Sequence, residues 1–568
     1  MRHLRLLVFV TAIMCVLPLR VNAQGAGIEW DILNQEVMDL YRQGKYDRAS
    51  VVGRSALEVA EENVGPEHTD VATSLNNLAI IYRDQGSYAK AEPLLKRSLM
   101  IREEAYGLEH LDVAQTLNDL AVLYVNQGSY SKAEPLFERS LAIREKVLKP
   151  DHPDVATSLN NLAGLYDAQG HYAKAEVLYK RSLALREKAL GREHPDVAQS
   201  LNDLATHYFT QGDYAKSEPL YKSSLSIQEK TLGPEHHYVS VSLNNLARVY
   251  ADQGNYAKAE PLYKRSLEIK QKTLGLVHPS VAATLNNLGG LYYYQGDYSK
   301  AEPLYQRSLE IQEKSLGSEH PDVATSLNNL ALLYDNQGLY AKAEPLYKRA
   351  LAILEKTFGP EHPDVATSLD NLAELYRIQG DYAKAEPLYN RALDIYAQAL
   401  GPENPEVATS LDNLALLYVA QSKYAKAEPL YQRLLAIRKK SLGPDHPDVA
   451  DALNNLALLY YTQGDYAKAE PLYIRSLSIF EQALGPEHPE VATILYNLAG
   501  VYYNQGDYAK AEPLYHRSLS ISEQALGPEH PNVADILEYL VELYRATNRN
   551  KEADRLAQRA ATIRALSK

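Results

Sequence analysis

The chain has one cysteine, one tryptophan, four methionines and five phenylalanines in 568 residues. The cysteine, Cys15, lies inside the apolar run Leu6 to Leu17. Everything beyond that run is free of thiols, which excludes disulfides and thiol catalysis there. Positive charge is also in short supply, with 59 Lys and Arg against 72 Asp and Glu and a net charge of −13. A surface of that sign repels phosphate backbones, so nucleic acid is not an expected partner. The sequence has no Gly-rich phosphate loop, no G-x-S-x-G and no H-E-x-x-H, the patterns that would hold phosphate, a serine nucleophile or zinc.

The N-terminus reads as a secretory signal covering residues 1–23. Arg2 and Arg5 precede the apolar run, and Pro18 and Val21-Asn22-Ala23 form a small-residue cleavage site before Gln24. The run is short for a membrane span. The expectation is an exported product, periplasmic or secreted; the alternative is a chain anchored in a membrane by an uncleaved signal. Cleavage removes three arginines and no acid, taking the net charge from −13 to −16.

What is abundant is tyrosine, 43 residues of it. One aromatic type in such excess indicates one motif copied many times. His68, His110, His152, His194, His236, His278, His320, His362, His446, His488 and His530 fall on a single 42-residue grid, with Asn404 in the one vacant place. Residues 24–67 keep the register loosely, Gly44-Lys45-Tyr46 aligning with Gly86-Ser87-Tyr88. The organisation expected is a degenerate N-terminal repeat over 24–67, tandem 42-residue repeats over 68–531 and a C-terminal capping repeat over 532–568. A fixed period of this size means a solenoid and not a string of globular domains.

In the unit that starts at His320, Val323, Ala324, Leu327, Leu330, Ala331 and Tyr334 share one helical stripe. Gln337-Gly338 stops that helix. Tyr340, Ala343, Tyr347, Ala350, Leu351 and Leu354 form a second stripe. Ser87, Asp213, Asn255 and Asp297 sit where second helices begin, as N-caps, and a glycine such as Gly317 follows their ends. Ten units carry proline in the second helix, Pro93, Pro303 and Pro345 among them, each removing one backbone donor. Every unit is thus a helical hairpin that must stack on its neighbours to bury its stripes.

Leu327-x-x-Leu330-Ala331-x-x-Tyr334 followed by Ala343-x-x-x-Tyr347 resembles the tetratricopeptide repeat. The longer unit, with "HPDVATSLNNLALLY" and "AKAEPLYKRALAI", is similar to the kinesin light chain variety. The resemblance covers residues 26–568. It implies an all-α fold, an α-solenoid of about 13 stacked hairpins wound into a right-handed superhelix, with the first helix of each hairpin lining the concave groove. It also implies a non-enzymatic scaffold without cofactor that binds proteins or extended peptides. No motor-binding heptad segment is present, so a motor-adaptor role is not carried over.

Paired asparagines recur in the first helices, as in "SLNNLA" at 326–331, although asparagine is a poor helix former. At 100° per residue Thr325, Asn329, Leu332 and Asn336 point away from the core stripe, and Asn328 lies on the flank. The first asparagine of each pair is expected to bond between stacked helices. The second is expected on the groove wall, where an amide offers donor and acceptor together. The candidate peptide-binding residues are therefore Asn77, Asn161, Asn245, Asn287, Asn329, Asn371, Asn413, Asn455 and Asn497, with Arg248, Tyr294, Tyr461 and Tyr503 beside them as anchors. Few basic residues share that face, chiefly Arg83, Arg248 and Arg377, which disfavours acidic peptides. The histidine grid is read as helix capping, since one ring per hairpin cannot chelate a metal across helices about 8–10 Å apart. Self-assembly of near-identical units is the alternative to peptide binding, and an enzyme with a site in the groove is a remote third reading.

Overall fold

A computed structural model describes residues 25–566, so the expected signal sequence lies outside the described residues. All the regular structure among these residues is helical: 26 helices from Ile28–Arg42 to Asn550–Leu566, with no strand. No helix among them is long and apolar enough to cross a membrane. The helices alternate between a first, or A, helix such as Pro321–Asn336 and a second, or B, helix such as Tyr340–Phe358. That makes 13 hairpins, and within each unit an A helix packs along its own B helix and a B helix along the next A. The described residues form two compact units, one of 25–379 with 394–401 and the other of 380–393 with 402–566.

Local chemistry sets the boundaries. Each grid histidine is an N-cap in extended conformation, and its Nδ1 accepts from the backbone N–H two residues on, at 3.1 Å in His320. Asn404 does the same with its Oδ1, at 2.9 Å. In most A helices proline occupies the first helical turn, as Pro321 does, where its missing N–H has no partner to lose; Thr69, Leu111 and His237 stand there in three others. The A helix ends at Gln-Gly with the glycine in the left-handed region, φ 70° at Gly338. Ser422 and Asn548 take this conformation at the equivalent position, φ 58° and 59°. The B helix ends at a glycine of φ about 90°, Gly317 for example. Of the four proposed B-helix caps, Asp213 and Asp297 accept from the backbone N–H three residues on, while Ser87 and Asn255 make no such bond.

The core runs along the stripes that the pattern implied. Val323, Ala324, Leu327 and Ala331 are fully buried with Ala343, the small residues letting the helices approach closely. The B-helix tyrosines Tyr221, Tyr305 and Tyr347 are fully enclosed as well. One buried position was not foreseen. Arg102, Arg144 and Arg186 lie in the B-helix core and reach the hydroxyls of Thr116, Ser158 and Ser200 in the next repeat. Lys270 does likewise to Thr284 at 2.8 Å, and burial pushes its amine down to about 8.

The first unit also touches itself across a long sequence distance. His320 Nε2–H donates to the Asp84 carbonyl at 3.0 Å and His362 Nε2–H to that of Asn126 at 3.2 Å, each pair 236 residues apart. Tyr88 stacks on Phe358 with centroids 5.4 Å apart. A β-carbon at Gly44, Gly86 or Gly128 would come within 2.9–3.0 Å of the His278–Pro279, Pro321 and His362–Pro363 side chains respectively. Three successive hairpins thus meet three others between five and six repeats further along.

This seam makes one glycine more demanding than its equivalents. Gly86→Ala meets both the left-handed backbone and Pro321, whereas Gly338→Ala meets the backbone alone. In denaturant titrations Gly86→Ala is expected to destabilise more than Gly338→Ala, by about 1–3 kcal/mol. Equal losses would show that the seam does not constrain this loop.

Candidate functional site

In both units, A helices approach their counterparts in neighbouring repeats more closely than B helices do. The A side is therefore the inside of the bend, where the candidate residues lie. The structure places the asparagines differently from the simple wheel. Asn161, Asn245 and Asn329 are 5–8% exposed; Thr325 and Leu332 are half-buried, and only Asn336 of its four-residue face is exposed. Tight stacking on the inside of the bend brings consecutive A helices together over that position.

What fills the interface is a ladder of amides. Asn161 Nδ2 donates to Asn118 Oδ1 at 2.7 Å, Asn245 to Asn202 at 3.1 Å and Asn287 to Asn244 at 3.1 Å. Asn77 donates to Asn34 at 3.2 Å, Asn455 to Asp412 at 3.1 Å and Asn497 to Asn454 at 3.0 Å. The second asparagine of one repeat thus engages the first of the repeat before it. Where the second is an aspartate the bond reverses: Asn76 donates to Asp119 and Asn160 to Asp203, at 2.9 and 2.6 Å. At the last junction Tyr496 and Tyr539 pack edge to face, 5.2 Å apart. The rung between Asn286 and Asn329 is open, because Asn286 turns to Ser326; Asn286 Oδ1 and Asn329 Nδ2 are buried without partners. Asn371 and Asn413 are half-buried.

The other candidates stand where the ladder leaves the inner face open. Tyr294 is 46% exposed, packed edge-on to Tyr293. The Tyr293 hydroxyl accepts from Asn336 at 2.5 Å. Arg248 lies over the Phe209 ring, 4.8 Å from its centroid. In the second unit Tyr461 and Tyr503 are half-buried, Tyr461 accepting from Asn504 at 2.8 Å. Ile378 and Leu458 are 46% and 41% exposed on the same face, with Leu416 at 37%.

Charge on this face is fixed rather than free. Arg377 forks onto Glu374 with two bonds of 2.6 Å. Beside it Asp335 is buried, and desolvation, reinforced by Glu374, raises its carboxyl to about 6. Asp167 contacts the fully buried His207 at 2.7 Å, and burial raises its carboxyl too. These acids interrupt the repeat pattern, which is the signal by which they could have been found. No cluster of three or more potential metal ligands exists among the described residues.

These features define a class, the α-solenoid whose inner wall is built of A helices. The family model of the tetratricopeptide repeat matches in overlapping segments from residues 31–104 through 280–356 to 490–565. The chain belongs to the tetratricopeptide repeat family, whose solenoids are in general protein-interaction scaffolds and typically non-enzymatic. A crystal structure of a Podosopora anserina kinesin light chain-type protein with nearly identical repeats is 33% identical, covering 36% of this chain and 98% of that one, with a TM-score of 0.31. BtubC (BKLC) of P. vanneervenii is 25% identical over 41% of this chain and 92% of that one, with a TM-score of 0.33. No curated protein matches significantly.

Two outcomes follow from the ladder. Asn245→Ala should cost about 1–3 kcal/mol, because it strands Asn202 in a buried interface; a neutral melt would show the rung is dispensable. Burial raises the Asp203 carboxyl to about 6, so its ionisation opposes folding once the pH passes the ordinary carboxylate range near 4. Asp203→Asn should therefore stabilise the chain at pH 7 by on the order of 2 kcal/mol and have little effect below pH 4. Urea titrations at both pH values test this; an equal effect at both would rule out the titration.

Proposed function

We propose that the protein is a non-enzymatic scaffold that holds extended peptide segments or partner proteins against the inner faces of its A helices. The observation that carries this is the set of large apolar side chains left exposed there, Tyr294 and Ile378 in one unit, Leu416 and Leu458 in the other. An exposed aromatic or aliphatic residue on such a face gains most from covering by a partner. Asn371, Asn413, Arg248, Tyr461 and Tyr503 flank these anchors as polar contacts. The remaining asparagines of the row act mainly by holding the wall rigid, which lowers the entropy lost when a ligand binds. Export through the N-terminal signal would place this scaffold in the periplasm or outside the cell.

The test compares partners captured from an extract of the source cells by the native chain and by the chain carrying Tyr294→Ser, Ile378→Ser and Leu458→Ser. Each change is at an exposed position, so stability should shift by no more than about 0.5 kcal/mol per site. Loss of captured partners without a change in melting supports inner-face binding. Identical capture by both chains moves the binding surface elsewhere.

A further inference from the structure

The grid histidines in the seam are two-ended. Nδ1 caps their own helix, and Nε2–H reaches a carbonyl at the end of a distant A helix. A simple cap needs only the first function, as Asn404 shows. Histidine supplies both, which accounts for its recurrence better than capping alone.

Within the first unit His320 and His362 use the second function. The rings of His320 and His362 are 9% and 5% exposed. Those of His68, His110, His152 and His194 are 36–42% exposed and make only the capping bond. The complementary surface is also repeated without a partner. Where Gly44, Gly86 and Gly128 are packed against a histidine–proline edge, the equivalent Gly254, Gly296, Gly338, Gly380, Gly464 and Gly506 have no atom within 4 Å of a would-be β-carbon. The free edges are near-copies of the paired ones: "EHTDVA" and "EHPDVA" beside the seam's "EHPDVA", and "YQGDY" and "NQGLY" beside the seam's "DQGSY".

We infer that the protein self-associates head to tail, the exposed histidine edge of one copy docking on the open Gln-Gly loops of another through the contact that the first unit makes within itself. The occupant of the free edge is a second copy because the chain itself carries the complement of each edge, repeated many times. The two surfaces differ, so the interface is heterologous, and each docked copy still offers one free edge. In each junction an imidazole N–H donates to a helix-end carbonyl while a glycine loop admits the histidine ring, with a proline ring beside it at His152 and His194.

The test is a mass measurement by light scattering over a range of concentrations, on the full chain of 63.5 kDa. The native chain should grow in mass with concentration. The variant His68→Asn, His110→Asn, His152→Asn, His194→Asn keeps the caps, as Asn404 does, and removes the second donor; it should stay at monomer mass with unchanged helicity and melting. The variant Gly254→Asn, Gly296→Asn, Gly338→Asn, Gly380→Asn, Gly464→Asn, Gly506→Asn is compatible with the backbone, as Asn548 shows, and blocks the loops; it too should stay monomeric. An equimolar mixture of the two should give a species of twice the monomer mass and nothing larger, because each copy then has one intact edge. A native chain that is monomeric throughout, a histidine-edge variant that assembles like the native chain, or a mixture that stays monomeric overturns the inference. If the loop variant fails to fold, the histidine-edge variant added to native chain should shorten the assemblies, and assemblies of unchanged size overturn it equally.

Discussion

No hairpin in this chain can complete its own hydrophobic surface. Within each unit the stripe of an A helix is covered mainly by its own B helix and further by the B helix of the repeat before. Each fully buried aliphatic or aromatic side chain contributes about 1.5–3 kcal/mol only when both neighbours are present. The stacking requirement therefore comes before every other feature, and it is met by short residues at fixed places. Ala331 and Ala343 are fully buried, and anything larger would hold the helices apart.

Stacking alone would leave register loose, since near-identical stripes could slide. Polar links fix it. In most repeats the A-helix tyrosine donates to a glutamate 32 residues earlier, as Tyr334 does to Glu302 at 2.7 Å and Tyr376 to Glu344 at 2.8 Å. Lysines such as Lys342 lie over the same rings. Burial and the glutamate together push these phenols above their ordinary range. On the opposite side, B-helix arginines pair with the preceding repeat, Arg349 with Glu313 and Arg265 with Glu229. The tyrosine excess is thus a structural quantity: Tyr334, Tyr340 and Tyr347 fill three separate stations in one repeat.

The hairpins, their boundaries and their core were legible because periodicity reports burial directly and His-Pro and Gln-Gly mark helix ends. The inner face was less so. A helical wheel treats one helix in isolation, and it turned Asn329 outward; the inside of a bend closes two wheels onto each other, and position 329 is buried. The exchange was nevertheless written in the sequence. Asn76 faces Asp119, Asn118 faces Asn161 and Tyr496 faces Tyr539, so each rung joins residues at a fixed spacing of 43. The seam was not legible, because nothing local distinguishes His320, which uses both nitrogens, from His152, which uses one.

Because the seam joins residues 236 apart, and because most repeats carry both the histidine and the Gln-Gly loop, the closure depends little on which of those repeats meet. Inserting or deleting one whole 42-residue unit shifts the pairing by a step and presents the same histidine to an equivalent carbonyl. Gain or loss of a repeat by unequal recombination is then a change of length without a change of closure. A lineage could vary the span of its scaffold while each intermediate kept its coil shut, a freedom denied to proteins whose distant contacts are each made by a unique pair of residues.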